Sequence, residues 1–357
     1  MALTINITDS LRASVESATG GRNTVLYTAK GQPCYMAVIP KFTLESIDAS
    51  LGTGTHPAFI VGGVEKSQLF IGQHIGVSRN GEMLSLPGVD PINSITHDAA
   101  VSLVRANGTG WHLMTNVEWA AIAQWCWKNG FQPRGNTQSG RSSDLTTEIG
   151  VRSDGLAVTG ANQGTQSRTL TGSGPVSWRH SSSPFGISDL SGNVWEWSPG
   201  MRIVDAEIQI IENNNAAATS ADLRATSAAW RAIDGATGTL VAPGTAGTVR
   251  YANANSGTAD WTLYRASGSS FEGMANSTGA NPVSAAALQV LKRHGCFPIA
   301  GSGLGGDGFY ITTTGERVPV RGGFWNGGAL AGVFALNLNG ARSGSYADIG
   351  ARPAFVL

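Results

Sequence analysis

Apolar positions in this chain come in two rhythms: two helical stripes around residues 96–130, and short alternating runs almost everywhere else. Thr96 can cap a helix that carries Ala100, Leu103 and Val104 on one face and closes at Gly108. Thr115 and Glu118 form a capping-box pair, so a second helix starts at about Asn116. Its stripe is Trp119, Ile122, Ala123 and Cys126, and Gly130 stops it. Trp125 and Trp127 lie off that stripe, which predicts a helix buried on more than one side. The run from Ala58 to Gly76 alternates like paired strands, and Val204 to Ile211 reads as a strand followed by a turn at Asn213–Asn215. A third helix is expected from about Ser284 to His294, where Lys292, Arg293 and His294 suit the C-terminal dipole and Gly295 ends it. Elsewhere, apolar runs cut by Gly, Pro, Asn and Ser imply strands and turns. The fold class predicted is α+β.

The pattern is most informative from Gly322 to Leu357. An apolar frame of Trp325, Val333, Phe334, Leu336, Leu338, Ile349, Phe355 and Val356 alternates with small or disparate residues. These include Phe324, Asn326, Gly327, Leu330, Asn337, Asn339, Gly340, Gly344, Tyr346, Ala347 and Asp348. The stretch contains no Lys, Glu, Gln or Met. Strand alternation would send Phe334, Leu336 and Leu338 inward and leave Asn337 and Asn339 outside. A rigid frame with interchangeable outward residues points to recognition rather than chemistry.

Composition narrows the class. Charged residues are 13% of the chain, against about 25% in a typical soluble domain. Gly is 48 of 357 residues, roughly twice its usual share of about 7%. A net charge of zero gives no electrostatic footprint for nucleic acid or an anionic membrane. No apolar run is long enough to insert in a membrane, and the first residues carry no signal-like apolar core. That fits a virion component released by lysis and, equally, an ordinary cytoplasmic protein. Cys34, Cys126 and Cys296 are scattered, offering neither a disulfide framework nor a metal site, and are expected to be reduced.

Two sets of motifs carry a family resemblance. The segment Arg321–Gly323, Phe324-Trp325-Asn326, Ala331 to Asn339 and Ile349 to Arg352 resembles the variable region of proteins diversified by retroelements. In that family, error-prone reverse transcription of template adenines spreads Asn codons into a restricted residue set, which the eleven positions above fit. Phe185 to Trp197 (FGISDLSGNVWEW) resembles the signature of formylglycine-generating-enzyme-like domains, an elaborated C-type lectin fold that the diversified proteins share. Asn93 to Trp125 resembles the two helices that precede it.

The resemblance implies a C-type lectin-like domain over residues 36–357, with an insertion at 201–295 and a variable region at 322–357. Residues 1–35 would be an N-terminal arm for attachment or oligomerisation. It implies a ligand- or receptor-binding protein of a phage or prophage tail and so a determinant of host tropism. The alternative is a variable protein secreted by, or displayed on, a bacterial surface. The partner would be a protein or glycan receptor on a bacterium, with display as a homo-oligomer, a trimer in a tail. No cofactor is required. Calcium is one option near the signature, where Asn193 and Glu196 would be the matching side chains. The other option is that Trp195 and Trp197 anchor the core while Glu196 accepts buried backbone hydrogen bonds.

An enzymatic reading fares worse. Formylglycine-generating oxidases use a C-terminal cysteine pair, and the matching stretch here is GARSGSYADIG, with no cysteine after Cys296. The six histidines are dispersed, which argues against the related iron-dependent enzymes. The glycine-rich run Gly301 to Gly308 lacks the Lys-Ser/Thr ending of a phosphate loop. The chain is expected not to be an enzyme.

Overall fold

Local chemistry starts the helices where the sequence places them. The computed structural model describes residues 9–161, 166–252, 258–265 and 270–357. In the helix Asn116–Lys128, Thr115 Oγ1 accepts from the Glu118 amide at 3.2 Å, and Glu118 Oε2 accepts from the Thr115 amide at 2.8 Å. This helix is buried nearly all round, from Asn116 through Gln124, which explains its tryptophans off the main stripe. The helix His97–Arg105 is capped by Thr96, and Ala285–Arg293 by Ser284. A fourth helix, Ser10–Thr19, is capped by Asp9.

Strands dominate, and three sheets carry the architecture of this mixed α and β chain. The first runs in the order Asn23–Tyr27, Pro33–Pro40, Gln68–Gly72, Pro353–Phe355 and Trp111–Leu113, antiparallel throughout. The C-terminal strand is therefore closed in between strands from the first third of the chain. The boundary expected at residue 35 is corrected: it falls inside the strand Pro33–Pro40. Cys34 and Met36 pack with Phe70 and Trp111, so the chain from Asn23 onward belongs to the sheet and not to an arm. Residues 1–8 of the expected arm lie outside the described residues.

The segment 201–295 builds most of an eight-stranded sheet. The single strand expected over 204–211 is instead a hairpin, Met201–Val204 with Glu207–Ile211. Asp205 and Ala206 both take positive φ, 45° and 72°, the requirement of a two-residue turn matched to strand twist. Ile203, Ile208, Leu263 and Leu291 share one core with Ile71, Trp119 and Leu336, so this segment is packed into the molecule.

The third sheet positions the candidate site. Its order is Phe309–Ile311, Leu336–Leu338, Val320–Arg321, Trp195–Trp197 and Ile349–Gly350. The two sequence motifs, around Trp195 and around Leu336, thus meet as near neighbours in one sheet. Phe309, Leu336 and Leu338 are solvent-free in the central core, which fixes this sheet to the helix Asn116–Lys128.

Candidate recognition surface

The sheet register sorts the C-terminal segment into an inner and an outer set. Phe309 pairs with Leu336, and Leu336 with Arg321, in a row whose side chains are buried in the core. The next row is Tyr310, Asn337, Val320 and Trp197, which alternation turns to the opposite face. Towards Trp197 that face is covered by the helix His97–Arg105 through Ala100 and Val104; towards Tyr310 it opens, leaving Tyr310 and Asn337 half-buried. Trp195 stands edge-on to Tyr310, ring centroids 6.1 Å apart.

Phe324 and Ala347 reach this area from two loops. Phe324 is half-buried against both the Trp195–Tyr310 group and a small cluster of Ile75, Val194 and Trp325, which Ala347 also joins. None of the eleven positions singled out in the sequence is buried: Asn326, Leu330, Asn339 and Tyr346 are exposed, the other seven half-buried. Of the frame, Trp325, Val333, Phe334, Leu336, Leu338, Ile349 and Val356 are buried, and Phe355 is half-buried.

Main-chain hydrogen bonds hold the loops, so their shape does not depend on the outward side chains. Trp325 donates its amide to Asn193 O at 3.0 Å and accepts from the Ser139 amide at 2.6 Å. The Gly328 amide donates to Thr137 O, the Ser94 amide to Tyr346 O, and the Trp195 amide to Asp348 O. Arg168 donates to Ala347 O at 3.2 Å while pairing with Asp90. Gly323, at φ +90°, has no room for a side chain, since a Cβ there would sit 2.3 Å from Ala331 Cβ. A loop fixed by backbone and glycine geometry tolerates exchange at its tips.

Not every position is free. Asn337 Oδ1 accepts from the Asn339 amide at 2.8 Å, and Asn339 Oδ1 accepts from Thr312 Oγ1 at 3.0 Å. These two amides therefore serve an Asx-type turn at the strand end. Gly340 lies beside the Trp197 ring, where a Cβ would come within 3.2 Å. The surface carries little free charge. Arg342 is spent on Glu316, at 2.9 and 3.1 Å, and on Asp98 at 2.8 Å. Asp348 is half-buried, and burial pushes its carboxyl above the usual range.

Asn193 and Glu196 do not present oxygens to an ion, which corrects the calcium option. Both Glu196 oxygens accept from Arg352, Nε at 2.9 Å and Nη2 at 2.6 Å. Asn193 Oδ1 accepts from the Thr169 amide and its Nδ2 donates to Thr169 O, at 2.8 and 3.1 Å. Its φ of 63° is the left-handed conformation that Asn tolerates. Glu196 does accept buried hydrogen bonds, though from a guanidinium and not from backbone. Among the described residues no three His, Cys, Asp or Glu side chains gather as metal ligands would. Cys34, Cys126 and Cys296 are separate, free and buried, and burial pushes the Cys34 and Cys296 thiols up to about 12.

Two residues of this region escaped the sequence reading. Tyr310 lies outside the C-terminal segment, and its only signal was alternation in Phe309-Tyr310-Ile311. Arg352 stood in a quoted motif, but nothing local marks it as the partner of a glutamate 156 residues earlier.

No protein-family model matches the chain, and no curated protein is significantly similar to it. Among solved structures, Treponema denticola variable protein 1 aligns over 93% of this chain and 98% of its own, at 11% identity and a TM-score of 0.34. A likeness that loose carries no argument about fold or function.

Proposed function

We propose that this chain is a binding protein whose C-terminal loops form a diversifiable recognition surface on a lectin-like scaffold. The observation that carries this reading is the segregation within residues 322–357. The eleven variable-type positions all keep some solvent exposure, while seven of the eight frame residues are buried. The motif resemblance around Phe185–Trp197 and Arg321–Arg352 supports the lectin-like, retroelement-diversified form of it. The partner would be a protein or glycan on a bacterial surface, met from a phage or prophage tail; display on a bacterial surface is the alternative setting. Neither enzymatic turnover nor a cofactor is part of the proposal. Individually weak contacts would gain from display in several copies.

The chemistry suits such a role. Phe324, Leu330, Tyr346 and Tyr310 offer aromatic and aliphatic anchors, and Asn326 an adaptable amide, with little fixed charge to restrict the partner. The test is binding of labelled protein to a panel of bacterial cells, before and after joint replacement of Asn326, Leu330 and Tyr346. A change in the strains bound, with melting unmoved, is expected. Unchanged binding across the panel would overturn the surface assignment. Independently, a near-copy of the C-terminal coding bases differing only at adenines, beside a reverse transcriptase gene, is expected; its absence would remove the retroelement part.

A further inference from the structure

A second concavity lies away from the C-terminal loops, between the strand Pro33–Pro40, the helix Asn116–Lys128 and the loop 180–185. It encloses about 400 Å³, within the usual range of roughly 300–1,000 Å³ for small-molecule sites. Its walls are mostly apolar, formed by Ile39, Phe42, Ile122, Trp125 and Phe185. Trp125 is held rigid: it stacks on Phe131 at 5.6 Å and leans on His180 at 5.3 Å.

The polar groups in this cavity have a definite character. His180 Nδ1 accepts from the Ile187 amide at 2.8 Å, which puts the ring proton on Nε2 and makes that nitrogen a donor. Arg22 is the one charged side chain among the described lining residues. Its guanidinium lies 4.3 Å over the Phe185 ring, and its Nε is fixed by Thr19 O at 2.9 Å. No Asp or Glu lines the space, so nothing there offsets the charge of Arg22. An apolar chamber whose polar lining is the neutral His180 ring, the hydroxyls of Ser181 and Ser183, and a cation at its edge with no carboxylate beside it matches an apolar body that ends in an anionic head.

We propose that this cavity binds a small monocarboxylate with an apolar aliphatic or aromatic body, its carboxylate taken by Arg22 and its body lying against Trp125 and Phe42. The site is independent of the recognition surface, which none of these residues touches in the sheet register or loop contacts described above.

The test uses the full chain, with octanoate and 1-octanol as probes in isothermal calorimetry. Octanoate is expected to bind with one-to-one stoichiometry. Arg22→Gln, at an exposed position, is expected to weaken octanoate about fivefold while changing octanol less than about twofold, as a partly screened ion pair would. Ser183→Trp, which puts a large ring into the lining, is expected to abolish binding of both while circular dichroism and melting stay as in the parent. Three results would overturn the proposal. They are no heat from octanoate at millimolar concentration, equal loss of both probes in Arg22→Gln, and undiminished binding in a folded Ser183→Trp protein.

Discussion

Arg352 and Glu196, 156 residues apart in the sequence, form a two-pronged ion pair with both side chains buried. Two more guanidinium hydrogens donate to Gly72 O and Ser188 O, both at 2.9 Å. One side chain thus ties the strand Gln68–Gly72, the start of the signature motif at Ser188 and the strand Trp195–Trp197. The pair lies beneath the candidate surface and stabilises the sheet that presents it.

Breaking only one side of this pair is expected to be severe. Glu196→Gln would leave Arg352 charged, buried and half-satisfied, a loss of about 3–5 kcal/mol. Arg352→Met combined with Glu196→Leu is expected to recover part of that loss, held back by the orphaned carbonyls of Gly72 and Ser188. Urea unfolding measures both. A Glu196→Gln protein with the parent's midpoint would show that the pair is not formed in solution.

Stability is expected to fall on acidification from pH 7 to 5. Burial lowers His56 and His74 to about 3, and His180 and His294 to about 4, from 6.5 when unfolded. A group depressed in the folded state contributes fully above its unfolded value and loses that contribution as pH falls through the folded one. Each histidine therefore accounts for at most about 2 kcal/mol of loss by pH 5. Asp307 works in the other direction. Burial raises it to about 7 from 3.8, so its contribution is whole below 3.8 and vanishes as pH climbs through about 7. Burial raises Asp189, Glu196 and Asp348 as well, so these acids offset part of the fall that the histidines produce. His56→Gln should flatten the acid limb, while Asp307→Asn should gain relative to the parent at pH 8. A flat melting temperature between pH 5 and 7 would contradict the burial of these imidazoles.

The sequence disclosed what short-range chemistry controls. The Thr115–Glu118 capping box, the Thr96 and Ser284 caps, and the alternation of Leu336, Asn337 and Leu338 all needed only near neighbours. It missed what depends on distant partners. Cys34 looks like part of an arm until Met36, Phe70 and Trp111 are beside it. Glu196 looks like a candidate calcium ligand until Arg352 takes both oxygens. The hairpin at Asp205–Ala206 was hidden because an alanine rarely adopts positive φ. Tyr310 joins the candidate surface only through parallel pairing with Leu336–Leu338.

The thiols are expected to be inert. Cys34 and Cys296 are buried and held near 12, and burial likewise raises Cys126, so none is a thiolate at neutral pH. Native protein should resist iodoacetamide, with all three cysteines modified after unfolding. It should also fail to oxidise a cysteine-containing sulfatase peptide when copper is supplied. Turnover of that peptide would reopen the oxidase reading.

Exchange at the surface is expected to be nearly free of cost to the fold, but unevenly so. Asn326, Leu330 and Tyr346 are exposed on loops whose backbones are held by Thr137, Ser139 and Ser94, so replacing them together should shift stability by no more than about 0.5 kcal/mol each. Asn337 differs, because its Oδ1 accepts from the Asn339 amide, and Asn337→Ala should cost about 1 kcal/mol through loss of that turn. Gly340 differs again, since a side chain would press on Trp197 at 3.2 Å, and Gly340→Val should be destabilising. Trp325 marks the limit of tolerance: it is buried against Ile75 and Val194, and Trp325→Ala should cost about 3–5 kcal/mol. Thermal melts of these four variants would order the positions by how much each belongs to the frame. If Trp325→Ala melted with the triple surface variant, the division between frame and exchangeable surface would be wrong.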